Sequence, residues 1–254
     1  MTHRLKKEKN YSYIEVGEGT PIIVLHGLMG GLSNFDAVTQ YFSTKGYKVV
    51  IPELPIYTKS LLKTNVKSFA KYLHDFIEYK GYDEVILLGN SLGGHIGLYH
   101  TKLYPEKVKA LIITGSSGLY ESAMGGGYTK RGDYEVIKKK AQDVFYNPAI
   151  ATKAIVDEVY ATVNDRSKLI KTLAIAKSAI RHNMAKDLPK MTTPTCIIWG
   201  KNDNVTPPNV AEEFDELLPD SELFWIDKCG HAAMMERPEE FNQVLDAWLQ
   251  KRGL

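Results

Sequence analysis

Only two cysteines, Cys196 and Cys229, occur in 254 residues. That is too few for the disulfide framework of a small secreted domain, and both are expected to be reduced thiols. No apolar run approaches the roughly 18 residues that a membrane-spanning helix requires, so no membrane partner is expected. Neither sign of charge prevails. With 32 Lys and Arg against 30 Asp and Glu, the formal net charge is +2, which provides no electrostatic footprint for nucleic acid. Metal patterns are missing too: there is no H-E-x-x-H, no paired histidine–cysteine spacing and no calcium loop. No metal or cofactor is expected. Residues 1–10 are polar and lysine-rich and lack the apolar core of a signal peptide, so the expected location is the cytoplasm. Internal repeats and low-complexity tracts are absent.

What is present is the composition of a globular chain, 44% hydrophobic and 24% charged, long enough to bury an ordinary core. Short runs rich in Val, Ile and Leu recur at residues 22–25, 49–51, 85–88, 110–113, 195–199 and 223–226. Continuous apolar runs of this length suit strands buried on both faces of a mostly parallel sheet. Between them lie helical patterns. Phe69, Tyr72, Leu73, Phe76 and Ile77 share one face of a helix over residues 69–80, and residues 238–250 repeat the pattern behind Pro238, which a first helical turn tolerates. Residues 5–16 are expected to form an antiparallel pair at the sheet edge. Strand alternating with helix defines an α/β fold.

The alternation breaks once. Between Gly118 and Pro189 no buried-strand run occurs, while helical periodicity continues at residues 154–163 and 169–180. A helical insertion (118–189) inside an α/β core (1–117 and 190–254) is the expected division. Lysines and arginines outnumber acids in the insertion. That excess is either a solvated surface or a lid favouring anionic substrates, with Arg166 and Arg181 as candidates to face the pocket. Gly125, Gly126 and Gly127 form a candidate hinge, and Tyr128, Phe145 and Tyr160 are candidate selectivity residues.

The strongest local signal is Gly89-Asn90-Ser91-Leu92-Gly93. It follows the run at 85–88 and opens a helix over 92–104, the context that a G-x-S-x-G pattern needs to mean anything. A sharp strand-to-helix turn lifts the serine out of the sheet, so its neighbours two positions away must lack side chains. Gly94 and Gly97 let the helix approach the sheet. A dinucleotide-binding loop would want glycine where Ser91 stands, and no Walker lysine–serine pair occurs.

A serine hydroxyl needs a base. Of the histidines, His3 is terminal, His74, His95 and His100 fall within helices, His182 is in the insertion, and His26 ends the first central strand. His231 follows the last strand at the carboxyl edge, where open α/β sheets place their sites. Asp203, just after the strand at 195–199, completes the order Ser, Asp, His and would hold the imidazole tautomer. The loop His26-Gly27-Leu28-Met29-Gly30-Gly31 would supply one oxyanion donor from the Leu28 amide, opposite that of Leu92. Cys229, beside His231, reads as a packed thiol.

With these four motifs in order, the sequence resembles the α/β-hydrolase superfamily over nearly its whole length. Gly89-Asn90-Ser91-Leu92-Gly93-Gly94-His95 and Lys228-Cys229-Gly230-His231 resemble the branch of small carboxylesterases and meta-cleavage-product hydrolases. The resemblance implies an eight-stranded, mostly parallel sheet flanked by helices, with a helical cap inserted after the sixth strand. It also implies catalysis by Ser91, Asp203 and His231 on a small-molecule ester. Carbon–carbon hydrolases of the branch usually carry tryptophan after the histidine and a cap arginine for the dienoate. Here Ala232 follows His231, which places ester hydrolysis first and carbon–carbon cleavage second. Dehalogenases and epoxide hydrolases of this fold use Asp at the turn and are excluded by Ser91. A non-catalytic ligand receptor that kept the fold is the third reading, and it would have no need of all three residues. Oligomeric state, acyl group and alcohol are left open.

Overall fold

The computed structural model describes residues 4–120 and 130–254. His3, Gly125–Gly127 and Tyr128 lie outside them. Eight strands form one sheet among the described residues: β1 (Lys6–Glu8), β2 (Tyr11–Val16), β3 (Thr20–Leu25), β4 (Tyr47–Pro52), β5 (Val85–Asn90), β6 (Val108–Thr114), β7 (Thr195–Gly200) and β8 (Ser221–Ile226). Their order is β1-β2-β4-β3-β5-β6-β7-β8. The β1–β2 and β2–β4 pairs are antiparallel and every other pair is parallel. The expected edge hairpin is therefore present. Its turn runs through Lys9 at φ 50°, a left-handed position that no glycine announced.

Because successive strand side chains point to opposite faces, each apolar run feeds two cores. Ile23, Leu25, Leu87, Leu111, Ile113, Ile197 and Trp199 pack on one face with Phe69, Leu73, Phe76 and Ile77 of α2 (Val66–Lys80), Ile96 of α3 (Leu92–Leu103) and Phe214 of the helix at Pro208–Leu217. Ile22, Val24, Ile86, Leu88, Ile112 and Ile198 face the other way, against Val38 and Phe42 of α1 (Asp36–Phe42) and Phe241, Leu245 and Trp248 of the C-terminal helix. β8 departs from the expectation of two buried faces. It is the sheet edge, and Ser221 to Trp225 are all half-buried, with only Ile226 sealed.

Helix limits follow local chemistry. The Asn65 side chain accepts the Ser68 amide at 2.9 Å and starts α2 three residues before its apolar stripe, and Gly81 at φ 67° ends it. Between β6 and β7 lie α4 (Tyr134–Gln142), α5 (Lys153–Asn164) and α6 (Arg166–Arg181), capped by the side chains of Asp133, Thr152 and Asp165. No strand occurs there among the described residues. Three helices complete the chain: α7 (Pro208–Leu217), α8 (Ala233–Glu236) and α9 (Pro238–Arg252). No helix among the described residues is long and apolar enough to cross a membrane.

One buried group makes this packing sensitive to acid. His100 of α3 is fully buried beside His74 and Tyr104, and neither ring nitrogen has a hydrogen-bond partner among the described residues. Burial first, and His74 second, push its imidazole from 6.5 down to about 3. The unfolded chain therefore takes up this proton near 6.5 while the folded chain refuses it, so His100 costs stability as pH falls from 6.5 toward 3. His100→Leu should raise the melting temperature and make it fall less steeply between pH 7.5 and 5. Parallel melting curves for variant and wild type over that range would contradict this.

Candidate active site

The turn from β5 into α3 is sterically over-determined. Ser91 sits at φ 54°, ψ −120°, a region that costs a non-glycine residue about 1–3 kcal/mol and needs surrounding packing to hold it. A Cβ on Gly93 would lie 2.0 Å from the Leu25 carbonyl oxygen, and one on Gly89 would lie 2.4 Å from the Gly94 nitrogen. Gly94 meets Ser116 Oγ at 2.4 Å in the same sense. Hydrogen bonds then fix the turn: the Ser91 amide donates to Thr114 O at 3.1 Å, and the Ser117 amide donates to Ser91 O at 3.3 Å. Leu92 opens α3 directly behind the serine, so its amide belongs to the first helical turn, which has no intrahelical acceptor.

His231 and Asp203 come from the carboxyl ends of β8 and β7. His231 Nδ1 donates to Asp203 Oδ2 at 2.9 Å. The Asp203 side chain is fully buried, and Oδ1 also accepts the amides of Val205 (2.8 Å) and Thr206 (2.9 Å), while Oδ2 takes the Thr206 hydroxyl at 2.9 Å. Four donors fill the four acceptor positions of a carboxylate. The carboxylate is thereby fixed in orientation, and with Nδ1 engaged by Asp203 it is Nε2 of His231 that is left for the cavity.

The backbone around His231 is held from three sides. Asn90 Nδ2 donates both to Thr114 O (3.0 Å) and to His231 O (3.1 Å). The His231 amide donates to Val144 O at 2.9 Å. The Glu236 carboxylate accepts the Gly230 amide at 2.7 Å, and also the amides of Tyr146 and Asn147. Gly230 allows this close approach, since a Cβ there would lie 2.5 Å from Val144 O.

The loop after β3 closes the site. His26 is buried, and burial lowers its pKa. Its Nδ1 donates to Gly27 O at 2.9 Å and its Nε2 accepts the Leu54 amide at 3.1 Å, which fixes a neutral tautomer. Gly27 lies so near the serine that its Cβ would be 3.1 Å from that of Ser91. Met29 at φ 59° and a Gly30 N to Gly27 O bond of 3.2 Å make a tight turn. Leu28, Ser91 and His231 all line one cavity of about 370 Å³, walled by Met29, Val144, Phe145, Ile155 and Met235. A second cavity of about 580 Å³ lies beyond residues 29–31, and neither Ser91 nor His231 lines it.

The structure thus gathers Ser91, His231 and Leu28 at one cavity, with Asp203 and Leu92 directly behind. In the helices between β6 and β7 the placement fits the solvated-surface alternative for the basic excess. Arg166 and Arg181 are exposed, and neither lines the cavity; the lysine that does is Lys140. Tyr160 is not among the lining residues either; it packs on Tyr134 and donates to Gly132 O, whereas Phe145 is. Cys229 is buried with its thiol pushed up to about 12, chiefly by burial, as suits a packed thiol. Asn90, Thr206 and Glu236 were not singled out from the sequence. Only Asn90 carried a signal, as the residue preceding the serine inside the motif.

Comparison with known proteins agrees with this fold. The sequence profile described as "alpha/beta hydrolase fold" matches residues 20–132 and 136–238. The chain is 28% identical to the 2-hydroxy-6-oxo-6-(2'-aminophenyl)hexa-2,4-dienoic acid hydrolase of Metapseudomonas resinovorans, over 95% of this chain and 88% of that one. It is 26% identical to Lipase 1 of Psychrobacter immobilis, over 92% and 81% respectively. Among solved structures, an alpha/beta hydrolase enzyme from the metagenome of sediments from the lagoon of Mar Chica, Morocco, is 63% identical. That match covers 99% of this chain and 100% of the other, with a TM-score of 0.83. The turn at Ser91, the sheet order and these matches agree, and the chain belongs to the α/β-hydrolase fold family.

Proposed function

We propose that the protein is a serine hydrolase that cleaves carboxylic esters through an acyl-enzyme. The observation that carries this reading is the strained Ser91 turn opening on the same cavity as His231, whose Nδ1 is bonded to Asp203 at 2.9 Å. Ser91 Oγ attacks the ester carbonyl while His231 Nε2 takes its proton. The Leu28 and Leu92 amides hold the oxyanion. As the tetrahedral species collapses, the carbon–oxygen bond breaks and His231 gives its proton to the leaving alkoxide. Water, deprotonated by the same nitrogen, then attacks the acyl-Ser91 and releases the acid. The two buried thiols suit a reducing cytoplasm.

Residues 118–189 are read as a cap over a core of residues 1–117 and 190–254. The cap supplies Val144, Phe145 and Ile155 to the cavity wall, so selectivity resides there and chemistry outside it. Ester hydrolysis is favoured over cleavage of a dienoate carbon–carbon bond because no arginine lines the cavity among the described residues and the small Ala232, which does, follows His231. A dienoate carboxylate would lack the bidentate partner that planar anions take.

Aryl esters graded by acyl length, assayed beside a dienoate substrate, should show turnover on the esters. Ser91→Ala should abolish this by about a thousandfold or more. A folded Ser91→Ala variant with wild-type turnover, or faster hydrolysis of the dienoate, would overturn the reading. Asp203→Asn should lower kcat by about four orders of magnitude. An amide NH2 facing Nδ1 forces the other tautomer and puts a proton on Nε2; a loss within tenfold would place the orienting acid elsewhere. Phe145→Ala should open the wall and shift kcat/KM toward longer acyl chains by about tenfold relative to acetate. An unchanged ranking would remove Phe145 from the acyl site.

A further inference from the structure

We propose that Glu236 is a positioning residue for His231. Its carboxylate joins the histidine loop to the cavity wall, so that the base and the wall that meets the substrate move as one unit. The proposal rests on the reading of His231 as the general base.

The need for such a residue is set by how the two segments meet. Residues 229–231 and 144–147 approach backbone to backbone, with the Gly230 Cβ position 2.5 Å from Val144 O and 2.9 Å from the Phe145 Cα. They do not pair as strands there, so amides that a ladder would satisfy are turned inward without backbone acceptors. The Gly230, Tyr146 and Asn147 amides converge on the single carboxylate of Glu236, the first two on Oε2 and the third on Oε1. Glu236 is itself buried. A carboxylate suits the task because it is acceptor-only and its bonds to backbone N–H are charge-assisted. Glutamine would offer one oxygen and turn an NH2 group toward the remaining donor.

Chain geometry delivers the carboxylate. α8 is a single turn beginning two residues after His231, and the Glu236 amide donates to Ala232 O at 3.0 Å. That turn folds the side chain back over Gly230. The imidazole itself is gripped at Nδ1, by Asp203 at 2.9 Å with the Thr206 hydroxyl 3.3 Å away. Where Nε2 points is therefore decided by the backbone of residues 230–231. That backbone is held by Asn90 at His231 O, by Val144 at the His231 amide, and by Glu236 at the Gly230 amide. Two of these three restraints lead to residues 144–147, the segment that carries Val144 and Phe145 into the cavity. A shift of the wall is thus transmitted to the base through two bonds.

An aryl acetate is the discriminating substrate, because its short acyl group makes least use of the Phe145 wall. Glu236→Gln should lower kcat for it by about a hundredfold, the cost of misplacing a catalytic group by about 1 Å, with KM little changed. Glu236→Asp, which keeps both oxygens on a shorter stem, should recover part of that loss. The proton NMR resonance of the His231 Nδ1 hydrogen, far downfield against Asp203, should broaden or shift in the Gln variant while its melting transition stays cooperative. Wild-type kcat with an unmoved resonance, or a loss that falls entirely in KM, would overturn the proposal. Should the Gln variant not fold, Glu236→Asp decides: reduced kcat with a moved resonance supports the role, and wild-type behaviour in both overturns it. The resonance requires no turnover, so a protein inactive on every ester would sink the proposed function and still leave Glu236 tested.

Discussion

The site depends on a steric constraint: a residue with a side chain must occupy φ 54°, ψ −120° between β5 and α3. That conformation persists because α3 is pressed against β3 so closely that a Cβ on Gly93 would lie 2.0 Å from the Leu25 carbonyl oxygen. The sheet order makes the contact possible. β3 and β6 flank β5, so the loop after β3 and the Thr114–Ser117 segment after β6 both reach the serine. An α-helix beginning at Leu92 then directs its unpaired amides and its positive end toward the same point. The strain at Ser91, the lift of its side chain out of the sheet and the place of the Leu92 amide behind it follow from one close helix–sheet approach.

Polar satisfaction governs the other half. A buried carboxylate is tolerable only when its lone pairs are filled, and Asp203 meets that condition with two amides, a hydroxyl and the imidazole. Thr206 is held in turn by the Trp199 indole, which donates to its carbonyl at 2.9 Å. The histidine loop repeats the logic with Asn90, Val144 and Glu236. Each loop ends its wandering where a buried donor or acceptor would otherwise be left alone.

The parts legible in the sequence were those with a period or a fixed spacing. The central strands, α2, α5, α6 and α9 follow from apolar periodicity, and Ser91, Asp203 and His231 follow from their places behind strands. α4 carries a weak stripe on a chain of lysines, Ile137 and Ala141 being its buried residues, and periodicity alone did not reveal it. β8 is as apolar at residues 223–226 as an inner strand, yet nothing pairs beyond it in the sheet, and a run of residues carries no record of its neighbours. Which charged side chains of residues 118–189 face the cavity was illegible for a similar reason. Arg166 begins α6 and Arg181 ends it, both on exposed turns, and charge content says nothing about direction. Glu236 was hidden because its partners, Tyr146 and Asn147, are about ninety residues away in the chain.

The most direct test of the account is a crystal structure of the protein after reaction with an aryl phosphonate that mimics the tetrahedral species. The account predicts phosphorus bonded to Ser91 Oγ, with its oxyanion about 2.7–3.1 Å from the Leu28 and Leu92 amide nitrogens and His231 Nε2 turned toward the adduct. Phosphorus on any other atom, or an oxyanion turned away from both amides, would contradict it.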